Sequence, residues 1–366
     1  MHLATVLRRS RRMIVALGPM LLGGGCAPMS GRDAPGLVAS AGASLAPTTI
    51  TTAWSEARTV SFALDRIDQR SLPLDRTYRH FGSGRDVTVY VFDGGIMASH
   101  PELEGRVRRG FNAFPNEDQL CNAHGTAVAG AVAGTTLGVA PAVEIVDVKM
   151  VECRRMRGSI EAIVRGVSWV LEDRAQHPHH RAIANWSFIA DTTGNIAALD
   201  TAAQRLLDAG IPVVVSAGNL EMDACRVSPG NAPGVITVGS SRLRTIGDGA
   251  HAMLVDQRTP GTAFGPCIGI FAPGDSVLLP SMDFRRLPTE QLWTGTSMAA
   301  GYVSGAAALY LEAHPLATPD AVWRDLKRSA STGIVVDPRS PAAGMLYVGP
   351  VDAGASTPTV ASHTQP

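Results

Sequence analysis

The chain has 366 residues, with 32 Lys or Arg against 32 Asp or Glu, so its formal net charge is zero. That balance removes the electrostatic case for a nucleic-acid partner. Hydrophobic residues make up 45% of the chain, as in a globular protein, and the length suits one large domain or two ordinary ones.

Arg8, Arg9, Arg11 and Arg12 precede an apolar run from Met13 to Gly25. A basic start followed by an apolar stretch of this length is the pattern of an export signal, and it is short for a membrane-spanning helix. Residues 1–26 therefore read as a signal peptide. It ends Leu22-Gly23-Gly24-Gly25-Cys26, similar to the cleavage box of bacterial lipoproteins, although Gly23 stands where that box usually has an aliphatic residue. Cys26 is thus the expected lipidation site and a point of membrane attachment. The mature protein is expected outside the cytoplasm, secreted or held at the cell envelope, in an oxidising compartment. Four cysteines remain there (Cys121, Cys153, Cys225 and Cys267), an even number that allows two disulfides. Residues 27–59, rich in Ala, Ser, Thr, Gly and Pro, read as a flexible linker, and 351–366 as a disordered tail of the same character. The folded domain is expected over 60–350, without internal repeat, as a monomer.

Within it, short runs rich in β-branched residues recur at Val87–Phe92, Val143–Val148, Ile183–Ser187, Val213–Ser216, Val235–Val238 and Ile268–Phe271. Helical patterns fall between them at Thr126–Ala133, Gly158–Arg174, Asn195–Ala209, Met298–Ala313 and Pro319–Ser329. Strands alternating with helices predict an α/β fold, a mostly parallel sheet with helices on both faces, in three layers. Ligands of such sheets lie at the carboxyl ends of the strands.

Polar residues collect at those ends. Val87–Phe92 runs into Asp93-Gly94-Gly95, and an aspartate ending a buried strand needs a charged or hydrogen-bonding partner. His124 opens a helix of small residues. Asn219 follows the strand Val213–Ser216. Ser297 stands at the start of a long apolar helix, where free backbone N–H groups favour negative charge. Taken singly, Asp93 and Asn219 read as turn residues, and His124 and Ser297 as helix caps. Together they supply a carboxylate to orient, a base, a nucleophile and an oxyanion donor. Their order along the chain, Asp then His then Ser, is that of subtilisin.

The segments Tyr90-Val91-Phe92-Asp93-Gly94-Gly95-Ile96, His124-Gly125-Thr126-Ala127-Val128-Ala129-Gly130, Ala217-Gly218-Asn219 and Gly295-Thr296-Ser297-Met298-Ala299 resemble the motifs of the subtilisin-like serine proteases. Leu64-Asp65-Arg66-Ile67-Asp68-Gln69-Arg70 is similar to the start of the mature domain in the proteinase K branch, most of all in aqualysin-like bacterial enzymes. The resemblance covers about residues 62–348. It implies an exported serine endopeptidase acting on protein or peptide substrates, with no cofactor for catalysis. Ser297 would be the nucleophile, His124 the base, Asp93 its orienting carboxylate and Asn219 the oxyanion donor. It also implies disulfides Cys121–Cys153 and Cys225–Cys267, and a structural Ca²⁺ held by Asp65, Asp68, Gln69 and Asp75, hard oxygen ligands of the kind that ion takes. A second calcium site of that branch is expected to be missing, because Arg242 stands where it needs an aspartate. Substrate is expected along Ser187-Phe188-Ile189-Ala190, where the family has Ser-Leu-Gly-Gly, and along Arg157-Gly158. The bulkier residues predict a narrower pocket for the side chain at the cut, and Arg154, Arg155 and Arg157 predict a preference for acidic residues upstream of it.

Other departures are Gly94 in place of a hydroxyl residue after Asp93, and Gly301-Tyr302 in place of Pro-His behind the nucleophile, expected to loosen the first turns of that helix. They motivate an alternative: a catalytically weakened, peptide-binding relative. An α/β esterase is disfavoured, since Gly295-Thr296-Ser297-Met298-Ala299 lacks the second glycine of a Gly-x-Ser-x-Gly elbow.

Overall fold

A computed structural model describes residues 54–117, 119–190, 196–341 and 343–350. The expected signal peptide, the lipidation site Cys26, most of the expected linker and the C-terminal tail lie outside the described residues. Strand β1 (Trp54–Arg58) pairs antiparallel with β2 (Thr77–Phe81), with helix α1 (Phe62–Ile67) between them. Strand β1 therefore falls inside the segment 27–59 that composition assigned to a linker. The strand is exposed along its length, so no apolar alternation announces it. What holds it is its pairing, the Trp54 ring 5.4 Å from Phe81, and Glu56 beside Arg79 at 3.4 Å.

The main sheet is built from β3 (Val87–Asp93), β4 (Val107–Asn112), β5 (Glu144–Lys149), β8 (Arg181–Trp186), β9 (Val213–Ser216), β10 (Ile236–Ile246), β11 (Met253–Arg258), β12 (Ile270–Pro273), β15 (Val335–Val336) and β16 (Gly344–Met345). Its order is β15-β11-β10-β9-β8-β3-β5-β4, with β12 pairing β10 and β16. Every pairing in it is parallel except β10 with β11. That antiparallel hairpin pairs Ser241–Ile246 with Met253–Arg258. Helices α2 (His124–Ala133), α5 (Thr296–Ala313) and α6 (Pro319–Ser329) cover one face, and α3 (Ile160–Gln176) and α4 (Ala197–Asp208) the other. Two apolar clusters show the layering. Val87, Val89 and Val91 of β3 pack with α2 and α5, while Tyr90 and Phe92 of the same strand pack with α3 and α4. The strand is buried at all seven positions, the reason it reads as a continuous apolar run.

Two small hairpins lie outside this sheet: β6 (Val151–Glu152) with β7 (Arg157–Gly158), and β13 (Val277–Met282) with β14 (Pro288–Trp293). Helix α5 runs unbroken through Gly301 and Tyr302, so the expected loosening is absent. A Cβ on Gly301 would lie 2.8 Å from Ala131 Cβ and 3.0 Å from Val128 O, and one on Gly305 3.0 Å from Val132 O. The glycines thus let α2 and α5 lie backbone against backbone. Among the described residues no helix is long and apolar enough to cross a membrane.

Candidate active site

Strand β3 delivers Asp93 to the carboxyl edge of the sheet, 5% exposed. A carboxylate so buried needs donors. Oδ1 accepts the Gly94 N–H at 2.7 Å, and Oδ2 lies 2.7 Å from His124 Nδ1. His124 is the first residue of α2, and its ring is within reach because Gly125 carries no side chain; a Cβ there would be 3.0 Å from Asp93 Cβ. With Nδ1 donating to the carboxylate, Nε2 is left as the acceptor, the tautomer a general base requires. Burial lowers the pKa of His124, but the charge of Asp93 and its hydrogen bond outweigh that and leave it raised.

Ser297 is the second residue of α5, and Gly295 is its N-cap. Its hydroxyl is therefore not spent on capping, contrary to the simplest reading of a serine at a helix start. Among the described residues that hydroxyl donates to Ser187 O at 3.2 Å and is not bonded to His124, while Ser187 Oγ donates to Ser297 O at 3.1 Å. Contacts between nucleophile and base commonly tighten only with substrate in place. Asn219 follows β9. Its Oδ1 accepts both the Thr296 N–H at 2.9 Å and the Thr296 hydroxyl at 3.1 Å, which fixes the amide with Nδ2 as the free donor. Thr296 Oγ1 in turn accepts the Gly218 N–H at 3.1 Å. Sequence reasoning gave Thr296 no role, although a fully buried threonine between Gly295 and Ser297 needed one.

Residues Ser187, Phe188, Ile189 and Ala190 continue β8 alongside the extension of β9. Ser216 Oγ donates to Phe188 O at 3.3 Å, and the Phe188 ring stacks on Trp186 at 5.4 Å. Ile189 presses on Gly218; a Cβ there would meet its side chain at 3.1–3.2 Å. Arg157 and Gly158 are exposed on β7, with Gly158 close against Met150. Both expected disulfides are present. Cys121–Cys153 lies beside the site, with Cys121 N–H donating to Gly94 O at 2.8 Å.

The expected calcium ligands are already engaged. Asp65 accepts the N–H groups of Asp75 and Arg76, at 3.2 and 2.7 Å. Asp68 Oδ2 accepts Arg79 N–H at 2.6 Å, and Arg79 donates to Asp75 at 2.8 Å. Gln69 turns its amide N–H groups to Ser71 O and Pro73 O, at 2.5 and 2.8 Å. The carboxylates are not drawn to one point. Among the described residues the sole close trio of His, Cys or carboxylate ligand atoms is Glu117 with Cys121 and Cys153, whose sulfurs are bonded to each other. Asp68 Oδ1 is nonetheless buried without a partner among the described residues, and burial raises its pKa to about 7. Arg242 reaches Gln257 at 2.9 Å and Asp275 at 4.0 Å, a positive charge at the position where a second calcium site is expected to be missing.

Comparison with known proteins adds to this geometry. Residues 84–348 match the model of the subtilase family. The chain is 38% identical over 277 residues to an extracellular serine proteinase of Thermus sp. (strain Rt41A), covering 75% of this chain and 62% of that protein. It is 35% identical over 290 residues to alkaline serine exoprotease A of Vibrio alginolyticus, covering 78% of this chain and 50% of that one. The chain thus spans from half to about three fifths of these relatives' length. A crystal structure of a cold adapted subtilisin-like serine proteinase superposes with a TM-score of 0.68 at 34% identity, over 81% of this chain and 100% of that one.

Proposed function

The chain belongs to the subtilase family, and on that premise we propose that it is a serine endopeptidase whose working groups are Asp93, His124, Ser297 and Asn219. The observation that carries this reading is the 2.7 Å contact between Asp93 and the His124 ring, which leaves Nε2 as the ring's acceptor. Ser297 Oγ attacks the scissile carbonyl carbon as Nε2 takes its proton. Asp93 holds the tautomer and stabilises the imidazolium. Negative charge gathers on the carbonyl oxygen, which accepts from the Ser297 N–H and Asn219 Nδ2. Collapse expels the amine, which carries away the proton from His124. Water, deprotonated by the same ring, then releases the acyl group.

The catalytically weakened alternative is not favoured. Gly301 and Tyr302 fall on helix packing, Tyr302 being wholly buried, and Gly94 still gives Asp93 a backbone donor. Fluorophosphonate labelling is the test. Modification at Ser297, with peptide hydrolysis abolished in Ser297→Ala, is expected; an unlabelled Ser297 in folded protein refutes the reading.

Substrate chain is proposed along Ser187–Ala190 on one side and Arg157-Gly158 on the other. Arg154, Arg155 and Arg157 favour acidic residues upstream of the cut, and equal cleavage of Glu- and Lys-bearing peptides counts against that. Export through residues 1–26 and a lipid on Cys26 are proposed from the sequence; loss of detergent-phase partitioning in Cys26→Ala checks the anchor. Calcium is proposed for the loop of Asp65, Asp68, Gln69 and Asp75, whose donors are of the right kind and whose Asp68 keeps a buried oxygen unpaired. The ion would bind and stiffen that loop. A melting temperature equal in Ca²⁺ and in chelator refutes it.

A further inference from the structure

Strands β3 and β5 run in parallel with Val91 opposite Asp147 and Asp93 opposite Lys149. Alternate strand residues share a face, so Asp147 lies one strand across and two residues back from Asp93, on the same face. It is 1% exposed. Its Oδ2 accepts Gln119 Nε2 at 2.7 Å and Ile96 N–H at 3.3 Å; its Oδ1 has no partner among the described residues. The two donors belong to different loops. One leaves Asp93 and the other leads into His124. The loops also touch directly, through Cys121 N–H on Gly94 O at 2.8 Å and through Gly95, where a Cβ would collide with Gln119 O.

We propose that Asp147 is a positioning residue for the Asp93–His124 pair, bracing both loops from the sheet beneath and making its own charge felt at His124. The inference rests on the serine-protease reading of that pair. Burial raises the pKa of the Asp147 carboxyl to about 7, against the hydrogen bonds of Gln119 and Ile96 and with help from the charge of Asp93. The charged groups around it are Asp93 on β3, Arg109 opposite it on β4, Lys149 on its own strand and Glu117 beside Lys149 at 3.7 Å, with His124 of α2 one step further, 2.7 Å from Asp93. Below neutrality the carboxyl is uncharged and its brace intact. Above it, a second negative charge stands behind Asp93, favours the imidazolium and draws the titration of His124 upward.

Asp147→Asn keeps one oxygen for the same two donors and cannot ionise. The test follows the His124 imidazole by NMR in the Ser297→Ala protein, with and without D147N, and the acid limb of kcat/KM in the active protein. In D147N both midpoints are expected to fall by about half a unit, with the kcat/KM plateau within about threefold of the parent. Asp147→Leu, which removes the acceptor, is expected to lose about tenfold or more at every pH, chiefly in kcat. Superimposed titrations of the parent and D147N overturn the inference, as does a parental plateau in D147L. The histidine titration does not depend on turnover. A shifted midpoint in a protein without peptidase activity therefore refutes the protease reading and leaves the brace, while an unshifted midpoint in an active protein refutes the brace alone.

Discussion

On the proposed protease reading wild type is expected to cut after small residues, and Ile189→Gly to admit aromatic ones. The strand extensions 187–190 and 216–219 both touch the start of α5, through Ser187 with Ser297 and Asn219 with Thr296, and on the proposed substrate path the side chain next to the scissile carbonyl passes between them. In that space Ile189 carbons lie 3.1 and 3.2 Å from the point where a Gly218 Cβ would stand. That is a few tenths of an ångström inside the roughly 3.5–4.0 Å two carbon atoms need, so Ile189 crowds this space and leaves room for a small side chain but not for an aromatic ring. Ile189→Gly removes the obstruction. Burying a phenylalanine side chain contributes about 1.5–3 kcal/mol, which corresponds to roughly 10- to 150-fold in kcat/KM. The assay compares kcat/KM for fluorogenic tetrapeptides that differ only in Ala or Phe at the cut. Wild type is expected to favour Ala, and I189G to raise the Phe-to-Ala ratio by that factor. A wild-type enzyme that takes Phe as readily as Ala, or a ratio unmoved by I189G, refutes the reasoning.

Asn219→Ala is expected to cost about 10²–10³ in kcat at little change in KM, a magnitude carried over from the asparagine in the same role in subtilisin; an unchanged kcat rules the residue out as the oxyanion donor. Removing Cys121–Cys153, which closes a separation of 32 residues, is expected to destabilise the fold by about 3–4 kcal/mol on chain-entropy grounds, and to lower activity more than removing Cys225–Cys267 does. Denaturant melts and rates of the two double alanine variants check both halves. The Asp147 carboxyl is raised above its ordinary value to about 7, so the folded chain holds an extra proton between about pH 4 and 7 and stability falls as pH rises through that window. D147N is therefore expected to gain on the order of 4 kcal/mol over wild type at pH 8 and little at pH 4; a difference independent of pH contradicts this.

The sheet was legible because β3, β5, β8 and β9 are short runs rich in buried apolar residues that give way to polar ones, at Asp93 and Lys149 on the last positions of β3 and β5 and at Ser187 and Asn219 just past β8 and β9. Helices α2 and α5 were legible from small residues at helical spacing. β14 was not, since Pro288–Leu292 is exposed and carries no alternation. Nor was β1, whose composition resembles a tether and whose order comes from a partner some twenty residues on. The four proposed catalytic residues could be named because each sits in a short motif. Thr296 and Asp147 could not be assigned roles, because these depend on Asn219, Gly218, Ile96 and Gln119, which only the fold brings to them. The expected calcium ligands showed the right elements, but Arg79 and the backbone amides that engage them are visible only in three dimensions.

The close crossing of α2 and α5 bears on how the site keeps its dimensions. Gly301 rests on Val128 and Gly305 on Val132, so the two helices run side by side in phase. The same offset carried back one more step sets Ser297 level with His124. The gap between the proposed nucleophile and base is thus governed from the core, like the spacing of two blades riveted along their shafts. About 6 Å separates the rivet at Gly301 from Ser297 along the helix, so a wedge there tilts the tip with little loss of leverage. Tolerance for error at this site is therefore set by glycines that no substrate touches.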